Sequence, residues 1–386
     1  MQFKEVIGQE KLKENLIRIV KDNRLSHALL FQGSNGYGTL GLAIALSQYI
    51  FCEDRSAIDS CGNCPSCLKT QKLIHPDLHF SFPVNSADGS SGKVGSDDFI
   101  SQWRTIIGES SYFDLKQWNE RIGIEKKQSL IKVEESKAIM KKLSLKSFEA
   151  KHKILIIWSA EKMNGEAANR LLKLIEEPAE DTLIILLSEN TEQIIQTIRS
   201  RTQVINVLPI REAEIEKAMI KTFETSPEQA KQVARQAEGD LIRAERLLHR
   251  QHEEEAFFTL FTEWMRACYE ANVERIYKWV EEISSASYGR ERQKRFLIYV
   301  LDQMREGILR NYSGTDLQHY FGKEGQFMDK FSPFIIAENI LEINELINEA
   351  HYHIERNAYA KIVFMDMSMQ FANLLRAKNR KFASKA

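Results

Sequence analysis

The segment Ala28-Leu29-Leu30-Phe31-Gln32-Gly33-Ser34-Asn35-Gly36-Tyr37-Gly38-Thr39-Leu40-Gly41-Leu42-Ala43-Ile44-Ala45-Leu46 runs from an apolar tetrapeptide, through a glycine-rich turn, into a second apolar stretch that continues to Phe51. The tetrapeptide reads as a buried strand and the stretch after the turn as a mostly apolar helix. Ile154-Leu155-Ile156-Ile157-Trp158 and Leu183-Ile184-Ile185-Leu186-Leu187 are two further continuous apolar runs. Strands apolar on both faces belong in a parallel sheet covered by helices. Between those runs, Ala168, Leu171, Leu172 and Ile175 fall at helical spacing, and the pattern stops before Pro178. The expected class is therefore α/β.

The turn invites comparison with the phosphate-loop pattern G-x-x-x-x-G-K-[ST]. Gly33 and Gly38 fit it, with Gly36 between them. Thr39 stands where the lysine should be, and Leu40 where the hydroxyl should be. The glycines allow backbone N–H groups to face a helix N-terminus, a general anion site. The ammonium that reaches β- and γ-phosphates and the hydroxyl that binds Mg²⁺ are both missing.

The chain has 386 residues, 43% hydrophobic and 28% charged, with a net charge of −1. It can bury real cores, and a surface coated in positive charge is excluded. No apolar run reaches the roughly 18–20 residues of a membrane span. Met1-Gln2-Phe3-Lys4-Glu5 has no basic region leading into an apolar core, so a cytoplasmic location is expected. Residues 85–96 are rich in Asn, Ser, Asp and Gly and read as a loop. Residues 85–122 read as an insertion with one or two short helices. Its Trp103, Tyr112, Phe113 and Trp118 suit either base stacking or a small satellite core. From about 211 the strand signals fade, and helical patterns cover 212–250, 254–284, 291–311 and 333–375. The C-terminal cations Arg376, Lys378, Arg380, Lys381 and Lys385 suit either phosphate contact or a solvated terminus.

Four of the five cysteines form the pattern Cys52-x8-Cys61-x2-Cys64-x2-Cys67. Four thiolates can close a tetrahedral Zn²⁺ site with no open position, which makes it structural. Gly62 and Pro65 supply the turns of a tight knuckle. An iron–sulfur cluster or disulfides are the alternatives. Cys268, among Trp264, Met265 and Tyr269, reads as a buried core thiol.

Several segments together carry a family resemblance. Phe3-Lys4-Glu5-Val6-Ile7-Gly8-Gln9 and Arg24-Leu25-Ser26-His27-Ala28-Leu29-Leu30-Phe31 look like the start of bacterial clamp-loader ATPases of the AAA+ class. Lys153 to Asn164 resembles their second nucleotide motif, and Ala167 to Pro178 the helix after it. Thr197-Ile198-Arg199-Ser200-Arg201-Thr202-Gln203 is similar to the Ser-Arg-Cys signature, with Thr202 in the cysteine position. The resemblance implies an AAA+ P-loop-type domain over 1–208, with the zinc knuckle at about 52–67 and the insertion at about 85–122. A helical lid over 209–250 and a C-terminal helical oligomerisation (collar) domain over 251–386 would follow.

The departures from the active pattern agree with one another. Hydrolysing members end the second motif with Asp-Glu, which holds Mg²⁺ and polarises water. Trp158 and Ser159 occupy those positions here. Ile242 stands where the lid's phosphate-sensing arginine is expected, with Arg243 one residue on. Losing metal ligands, base and lysine together removes most transition-state stabilisation. The resemblance thus implies a subunit without ATPase activity. It would offer Arg201 in trans to a neighbouring subunit's γ-phosphate, although a surface salt-bridge arginine is the plainer reading. The implied partners are gamma/tau motor subunits and a delta subunit, and through them the sliding clamp and primed DNA. An ATP-hydrolysing motor subunit and a zinc-dependent nucleic-acid-binding protein are the rival readings.

Overall fold

The computed structural model describes residues 1–86, 94–125, 127–312 and 322–383, which form two compact units, Met1–Leu248 and His249–Ala386. Residues 87–93 of the expected loop lie outside the described residues. So do Lys385 and the side chains of the other four C-terminal cations.

The first unit is built on strands β1 (Ala28–Gln32), β2 (Leu78–Ser81), β3 (Lys153–Ile157), β4 (Thr182–Ser188) and β5 (Gln203–Asn206). They form one sheet in the order β2-β3-β4-β1-β5. Every pairing is parallel, with Ala28 opposite Ile184, Lys153 opposite Thr182, Leu78 opposite Ile154 and Leu29 opposite Gln203. The period of two along a strand divides its side chains between two cores. Leu29, Phe31, Ile154, Ile156, Leu183, Ile185 and Leu187 belong to one. Ala28, Leu30, Leu155, Ile157, Ile184 and Leu186 belong to the other.

The first core is covered by α1 (Glu10–Lys21), α2 (Thr39–Phe51), α4 (Ile100–Glu109) and α5 (Leu115–Arg121), with α3 (Pro65–Gln71) beside α2. Every residue of α2 except Ile50 is buried, so this helix is apolar all round rather than amphipathic. The second core is covered by α6 (Val133–Ser144), α7 (Gly165–Glu176) and the short α8 (Gln196–Arg199). Segment 85–122 contains α4 and α5.

Helices α9 (Glu212–Phe223) and α10 (Pro227–Gln236) close a smaller core with the start of α11 (Leu241–Glu270). Tyr112 of the insertion joins that core, and its hydroxyl accepts the Ile7 N–H at 2.8 Å. The break expected between 250 and 254 is absent: α11 runs through it. The segment contains no Gly or Pro to stop a helix, and its Glu-rich middle needs only solvent.

The second unit holds the rest of α11 with α12 (Val273–Ile283), α13 (Arg290–Tyr312), α14 (Gly322–Phe331), α15 (Ile340–Glu355) and α16 (Ala360–Ala383). Trp264 and Trp279 stack at 5.1 Å in its core. The Trp264 indole donates to Ser368 Oγ at 2.9 Å. Cys268 is fully buried there, and burial pushes its thiol up. Among the described residues, no helix is long and apolar enough to cross a membrane.

Candidate functional site

The glycine-rich loop sits between β1 and α2. Gly33 N–H donates to Ser188 O at 3.1 Å, tying the loop to the end of β4. Ser34 caps a short 3₁₀ turn, its Oγ accepting the Gly36 N–H at 3.2 Å. Gly38 then takes φ +89°, a left-handed conformation that strains other residues, and α2 begins. Thr39 and Leu40, at the lysine and hydroxyl positions, are both buried.

The end of β3 points Trp158 at this loop. Its indole N–H donates to Asn35 Oδ1 at 2.8 Å, and the side chain is fully buried. Trp158 packs on Trp103 at 5.4 Å and on Phe113 at 5.1 Å. Trp103 in turn stacks on Phe82 at 4.1 Å and meets Trp118 edge-on at 5.2 Å. The aromatic residues of segment 85–122 are therefore core, not a stacking platform for bases: Trp103, Phe113 and Trp118 join the main core, and Tyr112 the small helical one. Ser159, next along, is buried with φ +51° and offers no carboxylate.

Two carboxylates that the sequence reading did not assign complete the site. Glu189 follows β4, and its Oε1 accepts the Asn35 N–H at 2.9 Å. Asp240, between α10 and α11, accepts from Ser34 Oγ at 2.5 Å through Oδ2 and from the Arg243 N–H at 2.9 Å through Oδ1. Ser34 Oγ also lies 3.3 Å from Glu189 Oε1, but its single proton serves one acceptor, and Asp240 is the nearer. A methyl group at Gly36 would stand 2.0 Å from Asp240 Oδ1, so glycine is required for this approach. Part of the loop's donor capacity is thus spent on the chain's own carboxylates. Asp240 lies two residues before Ile242 of the expected lid arginine position, a signal that was available. Glu189 had none beyond following a strand.

The surroundings are electronegative. Burial, and after it the charge of Glu189, raises the Glu161 carboxyl above its ordinary value. Burial, with Asp240, Glu238 and Glu189 adding to it, raises the Tyr37 phenol. Ile242 is buried in the small helical core, while Arg243 points to Glu238 Oε2 at 2.5 Å.

Arg201 lies elsewhere. It follows α8 and is 44% exposed, with Nε 2.8 Å from Glu176 Oε1. Its Nη1 donates to Thr197 O at 3.1 Å. None of its contacts is with the loop, Trp158 or Ser159.

The four cysteines do come together. Cys52 ends α2, Cys64 caps α3, and the four sulfurs lie within 4.8 Å of one another. Cys61 Sγ and Cys67 Sγ are 3.9 Å apart. That is near the ~3.8 Å edge of a tetrahedron whose sulfurs stand about 2.3 Å from its centre, and far beyond the ~2.05 Å of a disulfide. Backbone N–H groups turn toward the sulfurs, from Cys61 to Cys52 Sγ at 3.2 Å and from Cys64 to Cys61 Sγ at 3.3 Å. N–H groups of Asn63 and Cys64 bring the Cys61 thiol down to about 7. Burial pushes Cys52 and Cys67 up, so four thiolates together require a cation. The donor set fits a metal ion.

The family model described as DNA polymerase III, delta subunit matches residues 8–211. DNA polymerase III subunit delta' of Bacillus subtilis is 27% identical over 275 residues, 67% of this chain and 70% of that protein. The Escherichia coli subunit delta' is 26% identical over 196 residues, 51% of this chain and 46% of that protein. DNA polymerase III subunit gamma/tau of Mycobacterium tuberculosis is 26% identical over 200 residues, 52% of this chain but 27% of that protein. The match to the delta' proteins thus ranges from under half to about 70% of their length. With more than half of its residues matched by that family model, the chain belongs to the DNA polymerase III delta subunit family.

Proposed function

We propose that this chain acts as a non-catalytic, delta'-type subunit of the replicative clamp loader, helping to place the sliding clamp on primed DNA. The observation that carries this reading is the state of the loop. Trp158 fills the position of a metal-binding carboxylate, and Glu189 and Asp240 take up donors that a triphosphate would need. A motor subunit needs a lysine, an acidic pair and free loop donors. Nothing at Thr39, Leu40, Trp158 or Ser159 supplies them.

In this reading the chain works through its neighbours. Its partners are gamma/tau motor subunits and a delta subunit, with the C-terminal helical unit as the collar that holds it in their ring. Arg201, exposed and away from the chain's own loop, is the arginine offered to an adjacent motor's ATP. Cys52, Cys61, Cys64 and Cys67 hold one structural Zn²⁺. When bound, the ion cross-links the knuckle to the end of α2 and leaves no position for water.

The test is reconstitution with the motor and delta subunits. The chain alone should show no ATP turnover above background. Arg201→Ala should assemble normally and lower clamp- and DNA-stimulated hydrolysis partially, because the other interfaces keep their own arginines. Unchanged rates in an assembled Arg201→Ala complex would refute the trans role.

A further inference from the structure

Arg201 is held from two sides. Its Nε lies 2.8 Å from Glu176 Oε1, and Glu176 is the last residue of α7. On the other side Nη1 donates to Thr197 O at 3.1 Å and lies 3.4 Å from Ser200 Oγ. These contacts involve Nε and Nη1. Nη2 makes no hydrogen bond among the described residues. The C-terminal end of a helix also carries partial negative charge, which favours a cation docked beside it.

An arginine that acts on a neighbour's phosphate needs its outer donors free and its long side chain ordered. Left alone, that side chain samples many rotamers and loses them on engagement. A carboxylate that competed for the outer fork would oppose the transfer. One that pairs with the guanidinium beside Nε restricts the side chain and leaves Nη2 available. We propose that Glu176 is a positioning residue for Arg201, setting its guanidinium in advance for the phosphate of the adjacent subunit. The inference rests on the trans role assigned to Arg201 above. Glu176 and Arg201 are each 44% exposed, so the pair is a surface one. Such pairs are weak, and their effect shrinks as salt screens them. The effect on turnover is accordingly a few-fold, far below the loss of the arginine itself.

The experiment compares reconstituted clamp loader carrying wild-type chain, Glu176→Ala, Glu176→Gln, Arg201→Ala, or both alanine changes. Assembly is checked by size-exclusion and folding by thermal unfolding. Both Glu176 variants should lower stimulated ATP turnover about threefold to fivefold at low salt, the range of a surface ion pair. KM for ATP should stay unchanged, and the deficit should fade toward high salt. The glutamine variant matches the alanine because the contact is ionic, and it carries the test if the alanine variant assembles poorly. In the Arg201→Ala background Glu176→Ala should do nothing further, since the positioned group is gone. Unchanged or faster turnover in the Glu176 variants, or an equal loss with and without Arg201, would overturn the proposal while leaving the trans role standing. An Arg201→Ala complex with wild-type turnover would instead overturn the trans role, and this inference with it.

Discussion

The Trp158 indole donates to Asn35 Oδ1 at 2.8 Å, joining the end of β3 to the glycine-rich loop. In the proposed reading, one side chain puts a structural contact where a motor subunit has a catalytic one. Its ring packs among Trp103 and Phe113, and its only polar atom is satisfied. Trp158→Ala should cost about 3–5 kcal/mol, in line with buried Trp truncation. Trp158→Phe keeps most of the packing but leaves Asn35 Oδ1 without its donor, a cost of about 1–3 kcal/mol. Urea unfolding of both variants measures this. A Trp158→Ala cost below about 1 kcal/mol would show the cluster to be loosely packed. Trp158→Asp should not create a magnesium site, because the carboxylate enters an apolar cluster and Thr39 and Leu40 remain.

The cysteine cluster predicts about one equivalent of Zn²⁺ per chain prepared without chelator. Cobalt exchanged into the site should show intense thiolate-to-metal absorption. Cys64→Ser should lose the metal and destabilise the first unit, since Cys64 both caps α3 and anchors the knuckle to Cys52 at the end of α2. Iron in the purified protein, or zinc content unaffected by Cys64→Ser, would contradict the assignment.

Much of the architecture was legible because the central strands are apolar on both faces. Leu183 to Leu187 and Ile154 to Ile157 read as buried strands, and helix α2 follows from its mostly apolar run. Strands β2 and β5 were not legible. Leu78-His79-Phe80-Ser81 alternates too briefly to stand out, and Gln203, Val204 and Asn206 are exposed at the sheet edge. The grouping of Cys52, Cys61, Cys64 and Cys67 was readable from spacing alone, because four cysteines in a short segment have few uses. The carboxylates at the loop were not. Glu189 and Asp240 are 51 positions apart in their residue numbers, and only the fold brings both to Ser34. The Glu176–Arg201 contact was hidden for the same reason: two ordinary surface charges meet across α7 and α8.

Glu161 gives the loop region a pH dependence. Burial, chiefly, raises its carboxyl above the ordinary value of about 4.3. A group raised by folding contributes stability that is fully present below its unfolded value and is lost as pH rises through its folded value. At neutral pH an ionised Glu161 therefore opposes the fold. Glu161→Gln removes that penalty, so its stability relative to wild type should grow from pH 4 to pH 7. Urea midpoints of the two proteins across that range check the sign. A difference that shrinks toward neutral pH would place the shift on another group.

The last prediction concerns the carboxylates that occupy the loop. Asp240 performs two tasks: it receives the Ser34 hydroxyl, and it caps α11 through the Arg243 N–H. Asp240→Ala should cost about 1 kcal/mol for the lost cap alone. Glu189→Ala frees the Asn35 N–H, whose hydrogen-exchange protection should fall. With both carboxylates removed, the loop ahead of α2 presents a free Asn35 N–H and a free Ser34 hydroxyl, donors that can meet an anion. The double variant should therefore acquire weak binding of inorganic phosphate, detectable by phosphorus NMR titration, that the wild-type chain lacks. It should still not hydrolyse ATP, because Thr39, Leu40, Trp158 and Ser159 are unchanged. Part of the gain comes from removing negative charge, so it should shrink as salt screens that repulsion. If wild-type chain binds phosphate as well as the double variant does, Glu189 and Asp240 do not guard the loop, and its silence must come from the missing lysine and metal ligands alone.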